Sequence, residues 1–370
     1  MSGGRPTVLG FTDMRSEELV TPLEATNAPG RILSFEGTGP VAKFVRAVVR
    51  GVGVFRESEV DAILLYNGTG VLGLVSVLLA GLYRVPLVVR VNGDIYRQHA
   101  DRLDELRSDD EYARTAVFLL YHLLTRLTYR VATGYVTVSE DLRERIEFGT
   151  TYPNRATATV YNPVDAAEFR NADRPDESDV DLAGNRVLVT VTNLDFEGKC
   201  RGTVEIIDAV ADVLAENDDV TYVVAGDGTY LDALETYVET RVPDETAERI
   251  HLLGYVDDVP SLLAAADVFV YKSYIDGYPN VILEAQAAGL PVIANPAYGI
   301  GEQISHGRTG LLVPDDGDAS YRRAVEKLLA DESLRERLGR NAARTVRDEN
   351  AHERVGDELL AAVSRIVARR

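Results

Sequence analysis

Cysteine is almost missing from this chain: Cys200 stands alone among 370 residues. One thiol excludes an internal disulfide and fits a reducing, cytoplasmic compartment. Long apolar runs are missing as well. The longest, "VLGLVSVLLAGLY" at 71–83, falls short of the roughly 20 residues a membrane-spanning helix needs. The opening residues, "MSGGRPTVLGF", show no basic segment followed by an apolar one, so no secretion signal is expected. Positive charge is short: 39 Lys+Arg face 59 Asp+Glu, a formal net charge of -20. Nucleic acid is therefore not an expected partner, because binding it requires a basic face. Lysine is the scarcest cation, confined to Lys43, Lys199, Lys272 and Lys327. The five histidines (His99, His122, His251, His306 and His352) show no ligand spacing, so no metal site is expected.

What is present supports two globular cores. The length exceeds one ordinary domain, and 45% hydrophobic with 26% charged residues is a globular balance. Acid excess with so little lysine resembles proteins of salt-loving archaea, and a high-salt working medium is the expectation. Apolar, β-branched runs alternate with helical patterns: "TVLGF", "RILSF", "AILLY", "PLVVRV" and "GYVTVS" in the first half. A polar, Asp-rich stretch at 171–185 interrupts this order, and the alternation restarts with "RVLVTVTN", "VTYVVAGD", "IHLLG", "DVFVYKS", "PVIAN" and "GLLVP". Strands alternating with helices imply parallel sheets covered on both faces. The expected organisation is α/β: a Rossmann-like domain over 1–170, a linker over 171–185 and a second Rossmann-like domain over 186–345. A last helical segment over 346–370 is expected to pack back on the first domain.

Chemistry concentrates in "SYIDGYPNVILEAQAAGLPVIA" at 273–294. A strand leads into a loop, Pro279 suits a helix start, and Gly289 suits its left-handed stop. The loop therefore lies at the carboxyl end of a parallel strand, where open α/β sheets bind ligands. Asp276 stands on the loop. Glu284 sits about one turn into the helix, and its Cα–Cβ bond tilts back toward the mouth. A carboxylate there can accept from two adjacent hydroxyls, as on a ribose. A surface acid and a turn former are the plainer readings of the same pair. A second group, "VTNLDFEGKCRG" at 191–202, places Lys199 and Arg201 in a glycine-bearing loop that opens a helix. Two cations at a helix start can cradle a diphosphate.

Together these stretches resemble the retaining nucleotide-sugar glycosyltransferases of family four, which have the two-domain GT-B fold with Rossmann-like domains facing a central cleft. The resemblance runs from about residue 86 and is densest over 193–314. The family's E-x7-E signature appears as Asp276 and Glu284. Its lysine loop appears as "TNLDFEGK" and its "GDG" as Gly226-Asp227-Gly228. "LGYV" (253–256), "ADVFVYKS" (266–273), "TGLLVP" (309–314), "VTVSEDL" (136–142) and "VYNPVD" (160–165) match further family segments. No single motif is specific; their order and spacing are.

The resemblance implies that Glu284 holds the donor ribose and that Asp276 contacts the donor sugar. It implies that the backbone of Gly277, Tyr278, Pro279, Asn280 and Val281 meets the donor, with an N–H on each except Pro279. Lys199 corresponds to the diphosphate lysine, and Tyr255 and Val256 lie where the family holds the base. Three positions depart from the pattern. Asp276 is one methylene shorter than the usual Glu. Asn193 stands where an Arg is common, leaving Arg201 to supply a second cation. Asn92, in "RVNGD", replaces a His that the family aims at the donor sugar, and Asn cannot titrate near neutrality. Arg90 and Asp94 flank it as weaker candidates. No glycine-rich loop follows the first strand: "FTDMRSEE" has none, and "FEGTGP" comes after the second.

The implied reaction moves a sugar from a nucleoside diphosphate to an acceptor hydroxyl, with retention and without metal or cofactor. A lipid-linked or cell-surface glycan is the implied acceptor. The stretch at 113–132, with "TAVFLLYHLLTRLTYRVA", reads first as a buried domain helix, and it also allows peripheral association at the inner face of the cell membrane. A nucleotide-sugar epimerase and a catalytically silent nucleotide-sugar-binding protein are the alternatives.

Overall fold

The computed structural model describes residues 5–13, 20–26, 30–35, 37, 39–68, 70–108, 112–149, 152–173, 185–314 and 317–369. Most of the expected linker (174–184) lies outside the described residues, as do parts of "FTDMRSEE" and "FEGTGP". The chain forms two compact units, residues 1–163 with 352–370, and residues 164–351.

The first unit begins β1 (Val8–Thr12), α1 (Val20–Ala25), β2 (Gly30–Ser34), α2 (Pro40–Glu57), β3 (Ala62–Tyr66) and α3 (Gly70–Tyr83). It continues β4 (Leu87–Val91), α4 (Ile95–Ser108), α5 (Tyr112–Val131), β5 (Gly134–Thr137), α6 (Glu140–Phe148) and β6 (Ala156–Thr159). The sheet is parallel, in the order β2-β1-β3-β4-β5-β6. Strands buried on both faces need apolar residues at successive positions, which is why "VLGF", "AILL" and "LVV" read as continuous runs. Leu9, Phe11, Ile63 and Leu65 pack toward α2 and α3, and Val8, Leu64, Val88 and Val136 pack in a separate cluster on the opposite face. Strand β6, "ATAT", was not among the expected strands. It is a half-buried edge strand and pairs with β5 on one side only, so its small residues carry no apolar run to read.

The second unit runs α7 (Ala166–Arg170), β7 (Arg186–Val191), α8 (Glu197–Glu216), β8 (Val220–Ala225), α9 (Leu231–Arg241), α10 (Asp244–Ala247), β9 (Ile250–Leu252) and α11 (Val259–Ala265). Then come β10 (Val268–Tyr271), α12 (Asn280–Ala287), β11 (Val292–Ala294), α13 (Ile300–Gln303), β12 (Gly310–Leu312), α14 (Asp318–Ala330) and α15 (Glu332–Glu349). Helix α16 (His352–Ala368) returns to the first unit, where it packs on α1, β5 and β6. Both boundaries shift from expectation. Helix α7 belongs to the second unit because Phe169 packs into that core and the helix touches α11, α12 and α15. Residues 346–349 finish α15, whose Val346 is buried, so only the last helix crosses over.

The second sheet is also parallel, in the order β12-β11-β10-β7-β8-β9. From β7 the chain steps outward through β8 and β9, then returns to β10 on the other side of β7. The direction reverses between β7 and β10. Loops leaving adjacent strands at such a reversal diverge to opposite faces of the sheet and open a crevice at the strand ends. The two loops are those carrying Lys199 and Asp276.

Candidate active site at the β7–β10 reversal

Helix α8 starts earlier than the sequence suggests. Its first residue is Glu197, which places Lys199 in the first turn and Arg201 in the second, rather than both in a loop. The helix can press against the end of β10 because two glycines face it. A Cβ on Gly202 would lie 2.1 Å from the Lys272 carbonyl oxygen, and one on Gly198 would lie 2.9 Å from Ile275 Cγ2. That close approach carries the lysine to the acid: Lys199 Nζ lies 3.1 Å from Asp276 Oδ1, with both side chains mostly buried. The other carboxylate oxygen is also held, because Tyr271 Oη donates to Asp276 Oδ2 at 2.6 Å. Burial, then the Asp276 charge, push the Tyr271 phenol well above its ordinary pKa, so it stays protonated as a donor. The shortened acid is thus fixed from two sides, by an ammonium from α8 and a phenol from its own strand.

A second polar cluster adjoins it. Lys272, nearly fully buried, contacts Glu205 of α8 at 2.5 Å, and Tyr274 Oη donates to the same Glu205 oxygen at 2.7 Å. Arg201 lies 3.6 Å above the Tyr274 ring and 3.6 Å from Glu205 Oε1. Burial, then the Glu205 hydrogen bond, raise the Tyr274 phenol. Sequence reasoning missed Tyr271, Lys272, Tyr274 and Glu205. The available signal was lysine scarcity: two of only four lysines, Lys199 and Lys272, stand here. Cys200 lies in the same turn, but burial and then the Glu197 charge raise its thiol, which removes it as a reactive neighbour of Lys199.

The mouth of α12 is braced from behind. Asn295 bonds both backbone groups of Ser273, accepting at 3.2 Å and donating at 3.0 Å. Gln303 donates to the Pro279 carbonyl at 2.9 Å. The N-cap residue of α12 is Pro279, whose side chain makes no cap hydrogen bond, and the amides of a helix start suit an anion or hydroxyl ligand. Glu284 lies half-buried in the second turn, while Gly277, Asn280 and Val281 are half-exposed along the approach. The Tyr278 ring turns away from the mouth and lines a cavity of about 130 Å³ with Gln286, Gln303 and Thr309, which leaves only its backbone for a ligand.

Neighbouring loops complete the rim. Gly226 has φ +156°, and a Cβ there would lie 1.8 Å from the Thr192 carbonyl, so only glycine lets β8 turn this close to the β7 loop. Asn193 Oδ1 accepts from the Asp195 amide at 2.7 Å, and Asp195 in turn accepts from the Thr229 amide at 3.1 Å. The Asn193 side chain shapes this turn. Tyr255 is exposed, while Val256 packs on the core.

The remaining candidates belong to the first unit. Asn92 follows β4. Its amide donates to Asn67 Oδ1 at 3.1 Å, and its side chain Nδ2 bonds the Tyr66 hydroxyl. Arg90 is fully buried, and its Nη2 donates to Asn162 Oδ1 at 3.0 Å and to the Tyr161 carbonyl at 3.3 Å. Asp94 accepts from Tyr152 Oη and the Arg97 amide, both at 3.2 Å, at the start of α4. Among the described residues no group of three or more His, Cys, Asp or Glu is placed to hold a metal ion. Among them, too, no helix is long and apolar enough to cross a membrane.

Comparison with known proteins defines the class. Residues 181–345 match the family Glycosyl transferases group 1. The match covers most of the second unit and less than half of the chain, and the fold is GT-B. The named relatives that align over more of the chain are glycosyltransferases. The chain is 26% identical over 302 residues to alpha-D-kanosaminyltransferase of Streptomyces kanamyceticus, covering 79% of this chain and 74% of that one. It is 24% identical over 303 residues to the capsular polysaccharide biosynthesis glycosyltransferase CapM of Staphylococcus aureus, covering 80% and 75%. Among solved structures, HepE of Anabaena in complex with UDP and glucose superposes with a TM-score of 0.69, at 20% identity, covering 97% of this chain and 99% of that one. Both named sequence relatives are bacterial.

Proposed function

We propose that the chain is a retaining, metal-independent glycosyltransferase of family four, moving a sugar from a nucleoside diphosphate to the hydroxyl of a lipid-linked or cell-surface glycan. The observation that carries this reading is the Lys199–Asp276 contact at the reversal of the second sheet, beside the start of α12. Departure of the diphosphate is the difficult event, and a fixed cation with helix-end amides stabilises the charge that develops there. Lys199 faces the diphosphate, with Arg201 two residues further along α8 and stacked on the Tyr274 ring. Glu284 accepts from the ribose hydroxyls, and the base lies toward Tyr255 and Val256. Asp276, held by Tyr271 and Lys199, accepts from a sugar hydroxyl. The acceptor oxygen attacks on the departing face and the leaving phosphate takes its proton. The bound UDP and glucose in the HepE structure, and the glycan-building names of the relatives, support this reading.

The test is a panel of nucleoside diphosphate sugars offered with polyprenyl-linked and free glycan acceptors, read by diphosphate release and by the anomeric configuration of the product. Retention in a new glycosidic bond is the expected result. Epimerised donor with no acceptor needed, or binding with no turnover, would replace it with one of the other two readings.

We also propose a high-salt working medium, because 59 acids and four lysines suit a surface screened by concentrated cations. Activity should rise as KCl goes from low to multimolar concentration. A maximum at low salt would count against it.

A further inference from the structure

Around the axis of α8 the two cations of its opening turns do not share a face. At 3.6 residues per turn, Arg201 stands about 200° from Lys199, and Glu205 about 240°. Gly198 and Gly202 fall in the arc between Glu205 and Lys199, and the chain leaving β10 crosses the helix over them. A Cβ on Gly202 would meet the Lys272 carbonyl, and one on Gly198 would lie 2.9 Å from Ile275 Cγ2 and 3.5 Å from Tyr274 Cβ. The crossing chain is gripped on each side of this glycine ridge. On one side Lys199 Nζ meets Asp276 Oδ1 at 3.1 Å. On the other, Glu205 Oε2 takes both the Lys272 ammonium at 2.5 Å and the Tyr274 hydroxyl at 2.7 Å. Arg201 covers the Tyr274 ring at 3.6 Å, and Lys272 lies over the Tyr321 ring at 5.2 Å. Tyr321 Oη donates to the Tyr271 carbonyl at 3.0 Å, and Tyr271 in turn holds Asp276 through its own hydroxyl.

The second grip lies across the glycines from Lys199, and stability is the plainest account of it. A buried ion pair, however, adds little over apolar residues of the same volume, because desolvation offsets the attraction. What its directional bonds supply is geometry. Asp276 stands two residues beyond Tyr274, within about 7 Å of chain, so a shift at Tyr274 is passed on to the acid. Displacing a reacting group by about 1 Å can cost about 100-fold in rate. We infer that Glu205 and Tyr274 are positioning residues: they hold the loop after β10 across α8, which keeps Asp276 in place for the donor sugar, and they do not touch the donor themselves. The inference rests on the reading of Asp276 as the acid that meets that sugar.

The experiment compares the full chain with Tyr274→Phe and Glu205→Gln. The first keeps the ring under Arg201 and deletes only the hydroxyl bond to Glu205. The second keeps an acceptor for Tyr274 but removes the charge that Lys272 meets; should it fail to fold, Tyr274→Phe carries the test alone. Without ligand, amide exchange over residues 274–283 should quicken by about threefold or more, while β7 and β8 exchange as in the wild type. Turnover is read as nucleoside diphosphate release from whichever of UDP-glucose, UDP-N-acetylglucosamine and GDP-mannose the wild type consumes fastest. Tyr274→Phe should lower kcat about fivefold and leave the affinity for the released nucleoside diphosphate unchanged. Added to Asp276→Asn, it should cost nothing further, because both changes act through one carboxylate. Unchanged exchange over 274–283, losses that multiply in the double variant, or a fall in nucleoside diphosphate affinity would each overturn the inference. Wild-type turnover in Asp276→Asn would refute the donor-site reading itself and the inference with it. A slow Asp276→Asn beside a wild-type-like Tyr274→Phe would overturn the inference alone.

Discussion

The two units share an architecture and differ in what they show of their chemistry. Each is a parallel sheet of six strands with one reversal, between β1 and β3 in the first unit and between β7 and β10 in the second. At the second reversal the loops bring an ammonium, a carboxylate and a phenol within hydrogen-bonding distance of one another. At the first, Lys43 reaches Asp13 at 3.1 Å, and the residues singled out nearby hold the backbone together: Arg90 ties β4 to the segment after β6, and Asp94 opens α4. The same topology thus carries a cluster of facing polar side chains in one unit and a hydrogen-bonded frame in the other. The fold supplies the crevice, and the side chains on particular loops decide its use.

The largest effect that would sharpen this contrast is on turnover. Lys199→Ala should lower kcat by about 100- to 1000-fold, the range for removing one preorganised partner of a developing anion. Glu284→Ala should act mainly on donor affinity, by about 100-fold, through a lost charged hydrogen-bond partner to the ribose. Wild-type turnover in either variant would move the site elsewhere. Tyr271→Phe removes one of two holds on Asp276 and should cost about fivefold in kcat/KM. No change would mean that Lys199 alone positions the acid.

The smallest effect distinguishes the units by pH. His99 and His122 lie 3.0 Å apart between their Nδ1 atoms in the first unit. Burial, then the His122 charge, bring His99 down to about 4, and burial, then Arg126, lower His122. A folded-state pKa below the unfolded value means the unfolded chain binds more protons between about 4 and 6.5. The stability these groups support is complete above about pH 6.5 and declines as pH falls toward 4. The second unit holds one such group, His251, whose pKa burial also lowers, so the first unit, with two in contact, should lose protection from amide exchange ahead of it on acidification through this window. His99→Phe should remove part of the difference, and simultaneous loss in both units would remove the basis for it.

The sequence and the structure agree where function imposes spacing, and diverge where packing decides. Glu284 and Asp276 could be placed because strand, loop and helix follow in fixed order, with Pro279 and Gly289 as punctuation. Lys199 could be noticed because lysine is rare. That α8 begins at Glu197 was not readable, because Gly198 and Gly202 look like loop residues until β10 is seen pressed against them. The Tyr271 hold on Asp276 was equally hidden, since a tyrosine ending a strand reads as core. Helix α7 and the edge strand β6 were missed for a related reason: neither has an apolar period of its own, and each is fixed by what it touches.

The central claim is that Lys199 and its neighbours form the diphosphate end of a donor site. Calorimetric titration of the wild type and Lys199→Ala with UDP, GDP and ADP tests it most directly. At least one nucleotide should bind the wild type, and the same nucleotide should bind the variant at least about tenfold more weakly, through loss of a charge-assisted contact to phosphate. Equal affinity in the two proteins would contradict the assignment.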